Sequence, residues 1–404
     1  MERDKPQDSQ IPPVEGENGF SGKQDTIQSS AVDPALSGLR QDIDAIDAQI
    51  VSLLADRQHV VGQVAALKKA HNLQVYHPAR EEDLISRRRQ QATKTGLNPD
   101  FIEEIYRTII RRSRVVQTGS MALKSVRSEG VVLLVGGKGG MGRYFQECFR
   151  RAGYQVRILD KENWPDADRL CNGIDLAMVG VPIDVTSEVI RNIGPFIPEK
   201  AVLCDITSVK EQPLEEMLKA HAGPVIGLHP LFGPTTSSLD KQIIVATAGR
   251  DDSACQWVLD QFATWGAVVV RSDAREHDDI MGIVQALRHF ATFAFGQFLK
   301  RRRISLSRTL EFSSPIYRLE LGMVGRLFAQ DPSLYSEIIF ASEQRRDLLK
   351  DYIKSLHENL EMLENGDKCL FQKEFLKIAE WFGPFGEQAM RESTFLIDKL
   401  IERF

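Results

Sequence analysis

Cysteine is scarce in this chain: five in 404 residues, at positions 148, 171, 204, 255 and 369, never spaced C-x-x-C. An odd, scattered set argues against a disulfide framework and against a zinc site, and it fits a reducing compartment such as the cytoplasm. A basic excess is also missing. The formal net charge is −5 with 26% charged residues, so nothing points to nucleic acid. The N-terminus has no apolar core of a secretory signal. Long apolar runs free of charge are absent too. The nearest, residues 281–298, contains Arg288, His289 and two glutamines, and reads as a core helix rather than a membrane span.

What is present is enough chain for two or three domains, at 42% hydrophobic. The stretch 131–142, VVLLVGGKGGMG, runs five apolar β-formers into a glycine cluster. Gly137, Gly139 and Gly142 keep the G-x-G-x-x-G spacing, and a helix is expected from Gly140 and Met141 onward. Such a strand, turn and helix N-terminus suits a dinucleotide pyrophosphate. A second strand, 154–159, ends in Asp160, 23 residues after Gly137. A carboxylate there suits the adenine-ribose hydroxyls and repels a 2′-phosphate, favouring NAD over NADP. The plainer reading of Asp160 is an ordinary acid at a strand end.

Residues 1–35 are rich in Pro, Gly, Ser, Gln and Asp and read as a disordered tail. Residues 36–118 read as three helices. The first, 36–71, has an apolar stripe through Ile43, Ile46, Ile50, Leu53, Val60, Val64 and Leu67. Arg57 falls on that stripe, and Lys68 lies eleven residues on, nearly three turns away on the same face. A buried guanidinium needs an anion: an acid from another helix, or a ligand. Arg40 is 17 residues before Arg57, so one small ligand cannot reach both within a chain. The second helix opens at Pro78 and carries Arg80 and Glu81 in its first turn. The third, 98–116, continues its inner stripe with Ser113 and then Gln117. Three helices placing polar groups on inner stripes favour a site over isolated satisfied core groups.

The segment LRQDIDAIDAQIVSLLADR with Lys68, the run Pro78-Ala-Arg-Glu81, Ser113 and Gln117 resembles the all-helical chorismate mutase family. The resemblance implies an intertwined dimer that shares the long first helix. Arg57 and Arg80 then hold the substrate carboxylates, and Arg40 reaches in from the other chain. Lys68 and Gln117 bond the ether oxygen, and Glu81 takes the ring hydroxyl. His77 stands where the family often carries an acid. The rearrangement is pericyclic, so a compact conformer and charge stabilisation suffice.

After a polar linker, 119–130, strand-like runs at 176–181, 201–205, 225–228, 243–246 and 267–270 alternate with helical stretches. That alternation predicts a mostly parallel sheet over 131–270, with ligands at the carboxyl ends of its strands. Val181-Pro182, Thr207-Ser208 and GLHPLFGP (227–234) fall at such ends. His229 is either a turn-capping histidine or a base facing the crevice, and an imidazole titrating near 6.5 suits proton abstraction. Ser208 is either a second hydroxyl partner or a helix N-cap. Residues 271–404 read as helical, with stripes such as Leu348, Tyr352, Leu356, Leu360 and Leu363 that suggest dimerisation.

GLHPLFGP after the glycine fingerprint, with QALRHFATFAFG (285–296) and SSPIYRLELGMVGRLFAQDP (313–332), resembles prephenate dehydrogenases. With the mutase-like segment, nearly all the chain after residue 36 resembles the bifunctional chorismate mutase/prephenate dehydrogenase family. The expected architecture is an all-α mutase-like domain, an α/β Rossmann-like NAD-binding domain and an all-α dimerisation domain. The resemblance implies that His229 deprotonates the ring hydroxyl of prephenate while hydride passes to NAD and carbon dioxide leaves. Arg326, and next Arg318, is the implied carboxylate clamp; the alternative for Arg318 is an ion pair with Glu320 or Glu311. His289 is a core residue on an apolar helix unless, as the match implies, it borders the substrate. Tyrosine is implied as a feedback inhibitor. Two other readings stay open: an NAD-dependent dehydrogenase of another small acid, and a non-catalytic NAD-binding regulator, each with helices used only for assembly.

Overall fold

The computed structural model describes residues 32–70, 78–120 and 123–401, which divide into two units, Met1–Ala70 and His71–Phe404. Of the tail expected over 1–35, residues 1–31 lie outside the described residues, while 32–35 already belong to the first helix; the contact expected of His77 and the side chain of Gln117 also lie outside the described residues.

In the first unit, α1 (Val32–Ala70) is one uninterrupted helix. Its expected inner stripe is largely exposed: Ile43, Ile46, Ile50, Leu53, Val60 and Leu67 all face solvent, while Val61 and Ala65, off the stripe, are buried. Arg57 and Lys68 are half-buried rather than buried.

In the second unit, α2 (Pro78–Thr95) and α3 (Pro99–Ser120) pack together as a helical hairpin. The turn is written locally. Gly96 takes φ +76° to end α2, and the Asn98 side chain accepts the Asp100 N–H at 2.8 Å to start α3. Arg89 of α2 holds Asp100 and Glu103 of α3 at 2.7 and 2.5 Å.

A seven-stranded sheet follows: β1 (Val131–Val135), β2 (Gln155–Leu159), β3 (Leu176–Val179), β4 (Val202–Asp205), β5 (Val225–Pro230), β6 (Ile243–Arg250) and β7 (Val268–Ser272). Their order is β2-β1-β3-β4-β5-β6-β7. The first five run parallel; β6 turns antiparallel to β5, and β7 follows β6. Strands β3, β4 and β5 are buried throughout and β1 almost so, as strands covered by helices on both faces must be. Crossovers are α4 (Gly140–Arg151), α5 (Ala167–Cys171), α6 (Ile183–Ile193) and α7 (Glu211–Ala220), with α8 (Asp252–Thr264) joining β6 to β7. Phe145 and Phe149 of α4 interlock edge-on with Phe262 and Trp265 under one face. Gln261 is buried there too, accepting from Tyr154 Oη and from the Val126 N–H. The chain leaves β1 toward β2 on one side and returns to β3 on the other, which opens a crevice at the carboxyl ends of β1 and β3.

Helices continue from there to the C-terminus. They are α9 (Ala274–Met281), a π-helical turn (Gly282–Leu287), α10 (Arg288–Arg301), α11 (Leu306–Glu311), α12 (Pro315–Phe328), α13 (Pro332–Phe340), α14 (Glu343–Glu364), α15 (Lys368–Phe382) and α16 (Pro384–Ile401). The expected break at 381–384 is there: Gly383 has φ +50° between α15 and α16. Neither of these last two helices buries a single residue. Among the described residues no helix is long and apolar enough to cross a membrane.

Candidate active site

The glycine turn sits at the crevice. Gly136, at φ +81°, directs the chain out of β1, and a Cβ on it would lie 2.5 Å from the Gly180 carbonyl and 2.8 Å from Val181. A Cβ on Gly142 would lie 2.5 Å from the Gly136 carbonyl, so the helix can start this close to the strand only with glycine there. Gly139 caps α4 without a side-chain bond, leaving the first amides of Gly140, Met141 and Gly142 directed at the crevice. These amides and the positive end of α4 fit a pyrophosphate. Pro182 stands at the start of α6. Asp160 follows β2 and is already engaged. Its oxygens accept the Lys138 N–H at 3.1 Å and the Lys161 N–H at 2.9 Å, which ties the glycine turn to β2. It is therefore a strand-end cap with acceptor capacity remaining.

His229 lies inside β5, opposite Val245, and is 2% exposed. Two residues earlier only glycine fits, because a Cβ on Gly227 would collide with Thr247 Oγ1 and press on the Lys210 side chain. The Nδ1 of His229 is 2.8 Å from Nε2 of His277, and Nδ1 of His277 is 2.8 Å from the Asp278 carboxylate. An ionised carboxylate only accepts, so His277 carries its proton on Nδ1 and accepts at Nε2. In the tautomer in which His277 accepts at Nε2, His229 donates from Nδ1 and its own Nε2 presents a lone pair. That nitrogen faces the Gln285 amide nitrogen at 3.3 Å.

The surroundings hold His229 neutral and Asp278 ionised. Burial pushes the His229 imidazole well below its ordinary value, and His277, Lys210 and Arg345 add to the shift, so the ring is neutral at pH 7. Burial works against the Asp278 carboxylate. The bonds from His277 and from the backbone of Glu211 and Lys210 outweigh it and keep the group below the usual aspartate value. Asp278 thereby caps α7 from α9, accepting the Lys210 N–H at 2.9 Å and the Glu211 N–H at 3.0 Å. Helix α7 starts at Glu211 with no side-chain cap of its own, so Ser208 is not its N-cap; it sits half-buried three residues earlier. Lys210 is fully buried, paired to Asp205 at the end of β4 and bonded at 2.7 Å to the Leu228 carbonyl beside His229. Burial lowers the Lys210 pKa against the pull of Asp205.

Other residues singled out from the sequence are more dispersed. His289 is buried against the edge of Tyr335, with Arg288 Nη2 at 3.3 Å; burial pushes it down to about 4. Arg318 donates to the Leu310 carbonyl at 2.7 Å, and Glu311 pairs with Arg308. Arg326 is exposed on α12. In the mutase-like helices, Arg40, Arg57 and Lys68 lie on α1, in the first unit. Arg80 and Glu81 open α2, and Ser113 on α3 donates to the Ile109 carbonyl. Glu81 lies 3.6 Å from Arg114, which also reaches Asp240 at 3.4 Å. Sequence reading missed His277, Asp278, Lys210 and Gln285. One signal was available: His277 precedes Met281 by four residues, so it sits on the inward stripe of α9 where an apolar residue is expected.

A dinucleotide crevice beside a buried, neutral histidine defines a pyridine-nucleotide dehydrogenase of the doubly wound class, here carrying an N-terminal helical segment. Residues 39–118 match the chorismate mutase type II family, 141–271 the prephenate dehydrogenase nucleotide-binding domain, and 273–377 the prephenate dehydrogenase dimerization domain. The T-protein of Enterobacter agglomerans is 44% identical over 363 residues, covering 90% of this chain and 97% of that protein. The T-protein of Haemophilus influenzae is 40% identical, with 90% and 97% covered. The crystal structure of prephenate dehydrogenase from A. aeolicus, in complex with hydroxyphenyl propionate and NAD+, has the same fold. It superposes with a TM-score of 0.51 at 18% identity, covering 66% of this chain and 99% of that one. The chain belongs to the bifunctional chorismate mutase/prephenate dehydrogenase family. It is an enzyme of tyrosine biosynthesis with both activities, and its dehydrogenase uses NAD.

Proposed function

We propose that His229 is the general base in the oxidation of prephenate by NAD. The observation that carries this reading is the line Asp278–His277–His229, which leaves a bare Nε2 at the carboxyl end of β5. Gly137, Gly139, Gly140, Met141 and Gly142 hold the pyrophosphate, Asp160 the adenine ribose, and Val181 with Pro182 the flank of the crevice. NAD bound there supplies the hydride acceptor. His229 Nε2 takes the proton of the ring hydroxyl, and His277, anchored on Asp278, steadies the imidazolium that results. Loss of the ring carboxylate as carbon dioxide then gives 4-hydroxyphenylpyruvate. Ser208 bonds the same hydroxyl, Arg326 and next Arg318 clamp carboxylates, and His289 borders the substrate.

In the mutase, Arg57 and Arg80 hold the chorismate carboxylates. Lys68 and Gln117 bond the ether oxygen, Glu81 takes the ring hydroxyl, and Ser113 lines the site. Arg40 serves the partner chain's ligand, since it stands about 26 Å along α1 from Arg57. The solvent-facing stripe of α1 and the bare faces of α15 and α16 support a homodimer. The proposed divisions are 36–118, 131–270 and 271–404, in a cytoplasmic enzyme. Tyrosine, which shares the side-chain skeleton of the prephenate product, competes at or near the dehydrogenase site.

The test assays each reaction separately on the purified His229→Asn variant. Reduction of NAD by prephenate, read at 340 nm, is expected to fall roughly a thousandfold, with chorismate consumption unchanged. Loss of both reactions in a normally folded variant counts against the assignment.

A further inference from the structure

Gln285 has no role in the reading above, yet its side chain lies against the working nitrogen of His229. Its Nε2 is 3.3 Å from His229 Nε2. Its Oε1 is buried and has no hydrogen-bond partner among the described residues. A buried amide oxygen left unpaired costs free energy, so its position needs a reason beyond packing. The backbone that presents it is also unusual. Gln285 lies within the π-helical turn, Gly282–Leu287, that separates α9 from α10. Widened turns of this kind are rare and occur mostly at functional sites, because the extra residue re-aims side chains that an α-helix would turn elsewhere.

The protons fix what the amide offers. The Asp278–His277–His229 line leaves Nε2 of His229 as an acceptor, so Gln285 must face it with its NH2 group. Two nitrogens 3.3 Å apart can both lie within hydrogen-bond reach of one oxygen placed between and beside them.

We propose that Gln285 is a catalytic residue of the dehydrogenase, donating a hydrogen bond to the ring-hydroxyl oxygen whose proton goes to His229. This rests on His229 being the base. In the ligand-free chain the amide covers Nε2. When prephenate binds, its hydroxyl donates to Nε2 and accepts from the Gln285 N–H. The O–H bond then breaks toward Nε2, and the carbon becomes a carbonyl as its hydride passes to the bound cofactor. Scission of the bond between ring and carboxylate releases carbon dioxide. Its electron pair runs through the ring to the same oxygen, which becomes a phenolate. Gln285 holds that oxygen while charge is on it, and the proton returns from Nε2 to give the phenol. A neutral donor suits this cycle, because it stabilises the anion without trapping it.

The charged or titratable groups acting on His229 are His277 of α9, Lys210 before α7 and Arg345 of α14, with Asp278 behind His277, and a charge placed at 285 would act directly at Nε2. The test uses the full-length protein with Gln285→Leu and Gln285→Glu, and His229→Asn as control. Gln285→Leu is expected to lower kcat of prephenate oxidation about a hundredfold, with mutase activity and Tm unchanged. Equilibrium titration gives a readout independent of turnover. Gln285→Leu should bind 4-hydroxyphenylpyruvate about tenfold more weakly, while binding of phenylpyruvate, which lacks the hydroxyl, stays the same. Gln285→Glu should move the acid limb of the kcat/KM profile to higher pH, because a carboxylate at Nε2 favours the imidazolium. If Gln285→Leu keeps wild-type kcat, or weakens both ligands equally, the proposal is overturned while an inactive His229→Asn leaves the base in place. If His229→Asn stays active, the base assignment itself is lost.

Discussion

The sheet and the helical arms solve the problem of apolar surface in opposite ways. Around the sheet the chain completes itself. Phe145, Phe149 and Phe262 are fully enclosed, and polar groups such as the buried Gln261 and the half-buried Asp278 find partners on other elements. Along α1, α15 and α16 the apolar residues are left to solvent, with Leu53 67% and Trp381 80% exposed. Exposed apolar surface on this scale marks an interaction face. The core around the sheet is thus enclosed within the described chain, whereas much of the apolar surface of α1 is not.

That contrast can be broken or sharpened by experiment. The largest effect is expected from Phe149→Ala, which empties the aromatic cluster between α4 and α8. Chemical denaturation should show a loss of about 3–5 kcal/mol at every protein concentration. Next comes Lys68→Ala on the half-buried face of α1. Chorismate consumption should fall roughly a hundredfold, with prephenate oxidation retained in the separate assay. An intact mutase in this variant would remove α1 from the chemistry. A third effect is pH-dependent stability through His289. Its folded pKa, down to about 4, lies below the unfolded value near 6.5, so the unfolded chain binds the proton first. The contribution is complete above pH 6.5 and is lost as pH falls from there to 4. A Tm-against-pH curve should flatten over that window in His289→Asn. The smallest effect is expected from Phe375→Ala on α15, 62% exposed. Its unfolding free energy should change by less than about 0.5 kcal/mol in dilute protein, with a larger loss appearing only as concentration rises. A large, concentration-independent loss would mean that this face is already covered within one chain.

Much of the architecture was legible because it is local. The glycine spacing at 137–142 marks a turn that can be built in few ways, and the run from Val131 to Val135 allows only a buried strand. The break at Gly383 was readable for the same reason. The reversal of β6 was not, because a strand's apolar pattern carries no direction. The inner stripe of α1 was identified by its period, but period says that a face is apolar and not whether the same chain covers it. At the site, His229 stood out because GLHPLFGP lies at a strand end. His277 and Asp278 did not, since they meet it from 48 residues away and look in sequence like the polar start of a surface helix. Ser208 was misplaced as a possible cap because the true cap of α7 is Asp278, a residue on another helix. Widening of the helix at Gly282–Leu287 has no residue signature in this stretch, so Gln285 could not be singled out without coordinates.

The two oxygens of Asp278 join matters that most enzymes keep apart. One ends the imidazole line and takes the Lys210 amide, and the other takes the Glu211 amide. The orientation of the base and the anchoring of a crossover helix thus share a single hinge pin. Drift at this position is constrained twice over, since any replacement that frees α7 also lets His277 swing.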